Sequence, residues 1–338
     1  MKIAIHHRPG SFSDRWIEYC QKEEIPYKIV NAYDNDIIDQ VKDCNSFMWH
    51  FRHDDYRDAL FAKQLFYSLN SAGIKVFPDF NTVWHFDDKV GQKYLLESIG
   101  APLVPSYVFY EKSKALDWIK QTTFPKVFKL RGGAGALNVK LVKSRCQAKH
   151  LVLKAFKRGF GSNRWSMFWD ELKRYRQGHS TSKMLYLRFG NVFVKTPTQK
   201  MSHGEKGYIY FQDFVPNNTF DIRVCVVGDK AFALKRLTRE GDFRASGSGN
   251  ILYDKNQIDE RCVSIAFNVN KKLECQSIAF DFVFDKGNNP LIVEISYGYA
   301  VKAYDYCEGY WTSDMQWHEG DHFDFCGWMV DAIKKELA

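Results

Sequence analysis

The sequence lacks the marks of membrane, secreted and disulfide-stabilised proteins. No apolar run is long enough to cross a bilayer, and the first residues, MKIAIHHRPG, carry charge where a signal peptide has an apolar core. The 8 cysteines include no CxxC pair and no zinc-like spacing. Reduced thiols in core positions therefore fit better than a disulfide framework. These absences predict a cytoplasmic protein.

Two common nucleotide-binding motifs are also missing. No GxGxxG follows the first predicted strand, which argues against a dinucleotide, and no GxxxxGK[ST] marks a P-loop. The basic excess is modest, with 48 Lys and Arg against 40 Asp and Glu, and the two signs are interspersed. A net charge of +8 distributed in this way favours phosphorylated small molecules over nucleic acid as ligands.

The chain is long and apolar enough for two or three packed units, with 338 residues of which 45% are hydrophobic. Strand and helix patterns alternate up to about residue 80, with predicted strands KIAIHH, YKIV, SFMWH and IKVF. This alternation predicts a parallel, Rossmann-like α/β layer. The clusters His6-His7-Arg8 and Arg52-His53-Asp54-Asp55 follow strands, where such sheets bind ligands, although ordinary polar loops explain them equally well.

A loop of small residues, which we call the glycine loop, joins two predicted strands. The strand PKVFKL is followed by residues 131–136, RGGAGA, and then by NVKLVKS. Gly132, Gly133 and Gly135 would let backbone N–H groups approach a polyphosphate without interference from Cβ atoms. Lys129, at the strand end, would place an ammonium group on the same phosphates. A flexible hairpin loop is an equally good explanation of this segment alone.

Residues 145–205 form a basic, aromatic-rich insert. The stretches AKHLVLKAFKRGF and RWSMFWDELKRYRQG predict two helices, with basic residues that include Lys154, Lys157, Arg158, Arg164, Lys173, Arg174 and Arg176. Solvated helix faces are the usual meaning of such charge. A surface for an anionic acceptor is the functional alternative.

Two predicted hairpins follow the insert. DIRVCVVGDKAFALKR turns at Gly228-Asp229, and AFDFVFDKGNNPLIVEIS carries carboxylates on both of its strands. Glu294 and Ser296 are two residues apart and share a face, and Asp281 lies on the first strand. Two carboxylates that meet across a hairpin can hold a hard divalent cation. For this hairpin alone, two ordinary acids on a solvated face are the simpler explanation.

The order of five elements resembles the ATP-grasp superfamily, most closely its glutathione-synthetase and ribosomal-protein-glutamate-ligase branch. The elements are Lys89, then Lys129 with the glycine loop, then FQDFV, then DIRVCVVGDKAFALKR with EGDFRASGSGN, and finally AFDFVF with IVEIS. The resemblance covers roughly residues 80 to 300. It implies an α/β ATP-grasp fold with three parts: a Rossmann-like pre-ATP-grasp domain at 1–80, a central subdomain at 81–210 that contains the insert, and a C-terminal subdomain at 211–338 with a metal site.

The resemblance also implies residue roles, of which the following are contacts to ATP and to one or two Mg²⁺ ions. The phosphate contacts would be Lys89, Lys129, Gly132, Gly133 and Gly135; the adenine linker Gln212, Asp213, Phe214 and Val215, with Asp221 near the ribose; and the metal ligands Asp281, Glu294 and Ser296. Catalytic residues that hold the transferred phosphoryl group or the carboxylate would be Arg223, Arg236 and Arg244, with Asn250 in the same loop as Arg244. Ser296 stands where the family commonly has Asn, which puts a complete second Mg²⁺ site in question.

The implied activity is that of an ATP-dependent carboxylate–amine ligase that makes an amide or peptide bond through an acyl phosphate. Its partners would be small-molecule carboxylates and amines, such as amino acids or sugar-linked compounds in peptide or polysaccharide biosynthesis, without nucleic acid or membrane insertion. The sequence leaves open a homo-oligomer. It also leaves open a phosphotransferase of the same fold, in which a hydroxyl takes the γ-phosphate, and an inactive module that binds a polyanion or a partner.

Overall fold

The structure, a computed structural model, forms two compact units by its internal contacts. It describes residues 1–53, 55–133, 139–161, 168–169, 171–172, 175–176, 180–194, 204–239, 241–245, 249–320 and 323–337. The first unit comprises residues 1–52, 57–104 and 215–338, and the second comprises 53–56 and 105–214. The three-part division with boundaries at 80 and 210 stays a prediction. Along the described chain, no helix is both long enough and apolar enough to cross a membrane.

The first unit begins with a parallel four-stranded sheet in the order β2-β1-β3-β4. Its strands are β1 (Ile3–His6), β2 (Tyr27–Val30), β3 (Ser46–Trp49) and β4 (Lys75–Phe77), and the helices are α1 (Phe12–Lys22), α2 (Ile37–Val41), α3 (Tyr56–Ser71) and α4 (Phe80–Val83). β1 and β3 are buried along their whole length, as expected for parallel strands covered on both faces. This sheet is the predicted Rossmann-like layer.

A second, antiparallel sheet of the first unit runs in the order β13-β12-β9-β10-β14-β15, with β11 paired to β10. The strands are β9 (Phe220–Val227), β10 (Lys230–Leu237), β11 (Ile251–Leu252), β12 (Ser277–Phe284), β13 (Pro290–Ser296), β14 (Gly309–Thr312) and β15 (Trp317–Glu319). The helices of this part are α5 (Lys89–Ser98), α9 (Glu260–Leu273) and α10 (Phe325–Leu337), and 3₁₀ turns span Lys255–Gln257 and Val301–Tyr304. Both predicted hairpins, β9-β10 and β12-β13, are present.

The two faces of this second sheet have different neighbours. One face carries Ile222, Phe280 and Ile295, which pack against apolar residues of α9. On the other face Cys225 and Phe232 join a core that includes residues of α1 and α10. Because strand side chains alternate between faces, this arrangement determines on which side each charged residue of β9, β12 and β13 must lie.

The second unit is built on an antiparallel sheet in the order β5-β8-β6-β7. Its strands are β5 (Ser106–Phe109), β6 (Lys126–Lys129), β7 (Lys140–Val142) and β8 (Ile209–Asp213), and its helices are α6 (Lys112–Gln121), α7 (Arg145–Lys157) and α8 (Ser182–Phe193). Residues of α6 and α7 form one core with Phe128 and Phe211. The glycine loop leaves the sheet directly after β6.

The insert differs in part from the sequence prediction. Its first predicted helix is α7, whereas Arg164, Lys173 and Arg174 of the second lie outside the described residues. The helix α8 was not predicted. Its beginning is marked by Thr181, whose hydroxyl accepts a hydrogen bond from the Met184 N–H at 3.3 Å, as an N-cap residue does. A Thr directly before an apolar run was therefore the overlooked sequence pattern.

Candidate functional site

Three charged side chains, which we call the charged row, lie next to one another on the second sheet of the first unit. Asp281 on β12 pairs with Glu294 on β13 and with Arg223 on β9. Residues directly opposite each other in antiparallel strands share a face, with Cβ atoms about 4.5–5.5 Å apart. The two carboxylates therefore meet across the β12-β13 hairpin, as the period of two in the sequence predicted.

The charged row lies on the face of the sheet that is turned away from α9. Neighbouring residues of the strands, such as Ile222 and Phe280, point to the opposite face and are buried there. Further along the face that carries the row, Cys225, Leu234 and Ala279 belong to an apolar core. The row therefore stands at the border of an apolar core, where interactions between charges are stronger than in water.

Two arginines hold the carboxylate of Asp281. Arg223 donates from Nε to Oδ1 at 2.5 Å and from Nη2 to Oδ2 at 2.6 Å, and Arg236 Nη2 lies 2.9 Å from Oδ1. Arg236 also makes a two-pronged pair with Asp221, with both N–O distances at 2.7 Å. Planar guanidinium groups suit such paired contacts with carboxylates. The four side chains form one alternating network of charge.

This network determines the protonation of Asp281. Burial by itself disfavours the ionised form, but the adjoining guanidinium groups of Arg223 and Arg236 outweigh it and hold the pKa of Asp281 well below its usual range. Asp281 is therefore a carboxylate at any physiological pH. Asp221, predicted to lie near the ribose, has both oxygens bound to Arg236 instead, and its role toward a nucleotide stays a prediction.

Lys89 reaches Glu294 because the helix α5 is docked on β13. Gln92 donates to the Ile295 carbonyl at 2.8 Å and accepts from the Ile295 N–H at 3.4 Å. Asp88 caps the helix by accepting from the Gly91 N–H at 2.9 Å. Lys89 Nζ then lies 3.1 Å from Glu294 Oε1. Two residues that are far apart in the sequence, both predicted for the site, are thus in direct contact.

The donors around Glu294 suit a magnesium ion. Ser296 is two residues further along β13 and donates its hydroxyl to the Gly298 carbonyl at 3.0 Å, so its oxygen lone pairs remain for a metal. Among the residues that the structure describes, no three His, Cys, Asp or Glu side chains cluster closely enough to hold a metal on their own. Glu294, Asp281 and Ser296 supply oxygen only, which is the donor type that Mg²⁺ prefers when water and phosphate complete its shell.

Arg244 and Asn250 lie in the chain that returns from β10 to β11. Arg244 makes a two-pronged pair with Asp242, with Nε–Oδ1 at 3.0 Å and Nη2–Oδ2 at 2.7 Å. Asn250 accepts from the Leu237 N–H through its backbone carbonyl at 3.0 Å. Residues 246–248 between them are outside the described part of the chain. The predicted contact of both residues with a phosphoryl group or a carboxylate stays a prediction.

A polar cluster in the parallel sheet organises residues that the sequence had singled out. Asp58 is buried; it accepts from Arg8 Nη1 at 3.1 Å and from the Arg52 N–H at 2.7 Å, and it also binds the Tyr33 hydroxyl. One residue after β1, Arg8, and one after β3, Arg52, therefore meet at a single buried carboxylate. Asp58 and Tyr33 were not predicted, because neither stands next to the end of a strand in a recognisable motif.

In the second unit, predicted site residues share the face of the sheet opposite α6 and α7. Lys129 pairs with Tyr210, and Gln212 pairs with both Val127 and Ser106. The alternate residues Phe128 and Phe211 point to the helices. Gln212 Nε2 donates to Ser106 Oγ at 3.1 Å. Lys129 and Gln212 are both buried. Lys89 and Lys129 belong to different units, so their convergence on one triphosphate stays a prediction.

The predicted adenine linker is held by groups that the sequence did not reveal. Lys126 Nζ lies 2.5 Å from Asp213 Oδ1 and 5.2 Å from the centre of the Tyr107 ring. The Asp213 N–H donates to the Pro105 carbonyl at 2.8 Å. Phe214 follows directly as the last residue of the second unit.

The end of the linker that belongs to the first unit is held by the side-chain amide of Asn218. Asn218 Nδ2 donates to the carbonyls of Val215 at 3.3 Å and Phe284 at 3.0 Å, and its Oδ1 accepts from the Phe284 N–H at 2.8 Å. Asn218 therefore ties the linker to the end of β12. Recognition of adenine by this linker stays a prediction.

Comparisons with known proteins find a family model that matches part of the chain. Residues 183–307 match the RimK-like ATP-grasp domain. The matched segment contains the charged row, Arg236 and Ser296, whereas Lys89, Lys129 and the glycine loop precede it. No curated protein matches the chain in sequence.

Solved structures with the same fold match almost the whole chain. A RimK domain protein ATP-grasp from Sphaerobacter thermophilus is 13% identical over 99% of this chain and 100% of the other, with a TM-score of 0.57. D-cycloserine synthetase DcsG is 13% identical over 100% of both chains, with a TM-score of 0.59. D-alanine–D-alanine ligase from Bacillus anthracis, solved in complex with ATP, is 12% identical over 99% of both chains, with a TM-score of 0.54. The predictions of the superfamily and of the α/β fold are confirmed.

Proposed function

From the premise that residues 183–307 are a RimK-like ATP-grasp domain, we propose that the protein is an ATP-dependent carboxylate–amine ligase. It joins a small-molecule carboxylate to an amine and releases ADP and phosphate. The observation that carries the proposal is the charged row, in which Glu294 contacts Lys89 and lies beside an Asp281 that two arginines keep ionised. The names of the matching structures, two synthetases or ligases among them, support the same class of reaction.

The reaction has two balanced steps. An oxygen of the substrate carboxylate attacks the γ-phosphorus of ATP, the bond from that phosphorus to the β,γ-bridging oxygen breaks, and the products are ADP and an acyl phosphate. The amine then attacks the acyl carbon, phosphate leaves, and the amine loses a proton to give the amide. Both transition states carry extra negative charge on oxygen, which fixed cations stabilise.

The cationic and the anionic residues of the site would have different roles in this reaction. Lys89 would exchange Glu294 for a phosphate oxygen, and Arg223 and Arg236 would face the negative charge that develops on the transferred phosphoryl group. Glu294, Asp281 and Ser296 would hold Mg²⁺, which when bound offsets the charge of the phosphates. No nucleophilic side chain is required, because the substrate carboxylate is itself the nucleophile.

The proposal is tested by trapping the acyl phosphate. The protein is incubated with Mg²⁺-ATP, pooled carboxylates and hydroxylamine, and both ADP release and hydroxamate formation are measured. Hydroxylamine attacks an acyl phosphate to give a stable hydroxamate, so we expect ADP and hydroxamate in equal amounts with the correct carboxylate. Pools that give a positive result are then divided, and amines are added in place of hydroxylamine to identify the acceptor.

Two outcomes contradict the ligase. A stable phosphorylated product without hydroxamate would identify a phosphotransferase that uses a hydroxyl as acceptor. Failure to bind ATP in calorimetry would favour a binding module without catalysis. Reactions without a carboxylate serve as the control, because ADP release in the absence of an acceptor belongs to a contaminating ATPase.

A further inference from the structure

The insert returns to the second unit at a well-defined point. The backbones of Phe160 and Glu205 exchange two hydrogen bonds, at 2.7 and 2.9 Å. Gly159, with φ of +72°, allows this approach, because a Cβ atom there would lie 2.7 Å from the Glu205 carbonyl oxygen. Gly207 adds a further bond from its N–H to the Ala155 carbonyl at 3.2 Å. The backbone of Glu205 is therefore fixed against the end of α7.

The side chain of Glu205 is bound to the glycine loop. Its Oε1 accepts from the Gly132 N–H at 3.2 Å, and its Oε2 accepts from the hydroxyl of Tyr208. The same hydroxyl accepts from the Arg131 N–H at 2.6 Å. Two consecutive N–H groups of the loop are thus held, one directly by the carboxylate and one through the tyrosine.

Tyr208 can perform this double role only as a neutral phenol. Burial and then the neighbouring Glu205 carboxylate raise the pKa of Tyr208 well above its usual value. The hydroxyl therefore keeps its proton, donates it to Glu205 and accepts from Arg131. The contact is insensitive to pH in the neutral range as far as Tyr208 is concerned.

The contacts of Glu205 and Tyr208 begin where the strand pairing of the sheet ends. The β6-β8 pairing stops at Lys129 opposite Tyr210, so beyond Lys129 the loop no longer has a paired strand beside it. Glu205 and Tyr208 supply side-chain partners to the next N–H groups in place of a strand. The start of the loop is thus held in line with Lys129, and the change of direction comes at Gly133, with φ of +112°.

We propose that Glu205, acting through Gly132 and Tyr208, is a positioning residue that anchors the first turn of the glycine loop for nucleotide binding. The proposal rests on the proposed function and assigns a role in nucleotide binding to the end of the insert. The residues that the anchor holds are Arg131 and Gly132, which follow directly after Lys129 and Leu130. A nucleotide therefore meets a loop whose first two residues are already ordered, which lowers the entropy lost on binding.

The test uses the full chain and two readouts. Glu205→Ala removes both contacts, and Tyr208→Phe removes only the hydroxyl. Tyr19→Phe is the matched control, because the Tyr19 hydroxyl also donates to a carboxylate, that of Asp331 at 2.8 Å, but outside the loop. The first readout is the rate of tryptic cleavage after Arg131 without nucleotide, followed by mass spectrometry of the fragment that begins at Gly132. The second is the Kd for Mg²⁺ and a non-hydrolysable ATP analogue, by calorimetry.

For Glu205→Ala we expect roughly tenfold faster cleavage at Arg131 and roughly tenfold weaker binding of the analogue, because Gly132 loses its hydrogen bond and Tyr208 loses the carboxylate that orients its hydroxyl toward Arg131. Tyr208→Phe should show a smaller change in both, Glu205→Gln should recover part of the loss, and Tyr19→Phe should behave as wild type. If Glu205→Ala fails to fold, Tyr208→Phe carries the test alone. In the enzyme assay KM for ATP should rise while kcat stays within about twofold, a split that a general loss of stability would not produce.

Three results would overturn the proposal. Unchanged cleavage and unchanged affinity in both variants would show that the anchor is absent. Tighter binding of the analogue by Glu205→Ala would show that the carboxylate competes with phosphate instead of positioning the loop. A wild-type protein that binds no nucleotide would remove the nucleotide role together with the proposed function, whereas faster cleavage in Glu205→Ala would then still establish the anchor itself.

Discussion

The charged row of the first unit and the glycine loop of the second are held in different ways. In the row, Glu294, Asp281 and Arg223 are neighbours because their strands are paired, so the backbone ladder itself positions the side chains. In the loop, the backbone N–H groups are held by side chains, Glu205 and Tyr208, that arrive from a distant part of the chain. The row thus depends on strand pairing, whereas the start of the loop depends on two side chains that single substitutions can remove.

A second comparison is between one buried ion pair of the first unit and one exposed ion pair of the second. Asp281 and Arg236 are almost fully buried and depend on each other, whereas in the second unit pairs such as Glu111 with Lys114 are largely exposed. When one member of a buried ion pair is removed, the other charge is left unpaired where water solvates it poorly. When one member of an exposed ion pair is removed, water takes its place. The predictions below use this contrast.

The largest expected effect is on turnover in the first unit. Glu294→Ala removes the carboxylate at the centre of the row, and ADP release should fall at least about 100-fold, the size expected for a central electrostatic group. Ser296→Asn should retain activity, because an amide oxygen can replace the hydroxyl as a metal ligand. Steady-state ADP release measures both. An active Glu294→Ala enzyme would remove Glu294 from the site.

The next effect is on stability. Asp281→Asn leaves Arg223 without its carboxylate partner and Arg236 with that of Asp221 alone, and the free energy of unfolding should fall by about 3 kcal/mol. Glu111→Gln in the second unit should change it by less than about 1 kcal/mol. Urea unfolding at pH 7 compares the two variants. Equal losses would mean that the network around Asp281 is no stronger than a surface pair.

Acid should affect the first unit through its buried histidines. Burial, and then the positive charge of Lys63, lower the pKa of His85 from 6.5 to about 4, and His6 is lowered to about 4 by burial and then Arg8. Between pH 6.5 and about pH 4 these histidines are protonated in the unfolded chain but neutral in the folded one. The free energy of unfolding therefore falls as pH falls, by up to about 1.4 kcal/mol per pH unit for each histidine. Stability from this source is complete above pH 6.5.

The measurement is urea unfolding at pH 7 and pH 5. His85→Gln should lose less stability over this interval than wild type, whereas His150→Gln, a change at an exposed histidine of α7, should follow the wild-type slope. Parallel slopes for wild type and His85→Gln would contradict the burial of a neutral imidazole.

The last prediction concerns how many cysteine thiols react rapidly in the folded protein. The structure has one exposed cysteine, Cys146, which belongs to the second unit, and the buried ones all belong to the first: Cys20, Cys44, Cys225, Cys262, Cys275, Cys307 and Cys326. Burial raises the pKa of Cys225 to about 12, which makes its thiolate scarce. Under native conditions one thiol should react rapidly with Ellman's reagent, and Cys146→Ser should remove that phase. A second rapid thiol would indicate that a buried site of the first unit opens.

Local patterns in the sequence were sufficient for much of the fold. The alternation of strands and helices predicted the parallel layer, and the period of two placed Glu294 and Ser296 on one face of their strand. The resemblance to the ATP-grasp superfamily rested on the order of five elements and is confirmed. What these signals share is that each depends on neighbours in sequence or on motif order.

Contacts between distant segments could not be predicted in this way. The strand β12 pairs with β9, so Asp281 meets Arg223, but no local property of either strand specifies that partner. Gln92 docks α5 on β13 and Asn218 pins the linker, although both are single amides in unremarkable surroundings. Glu205 likewise lies in a segment with no clear motif. Their importance comes from the tertiary arrangement, which overrides what local sequence encodes.

The pairing of Phe160 with Glu205 has a consequence for how this chain can vary. These two residues are hydrogen-bonded to each other through their backbones, so the chain between them closes a ring. Lengthening or shortening such a ring changes its closure entropy only slowly with the number of residues. Related proteins could therefore differ widely in length at this place while α7, β8 and the anchor at Glu205 keep their positions, and an excision that rejoins the chain across this pair should leave the sheet of the second unit folded.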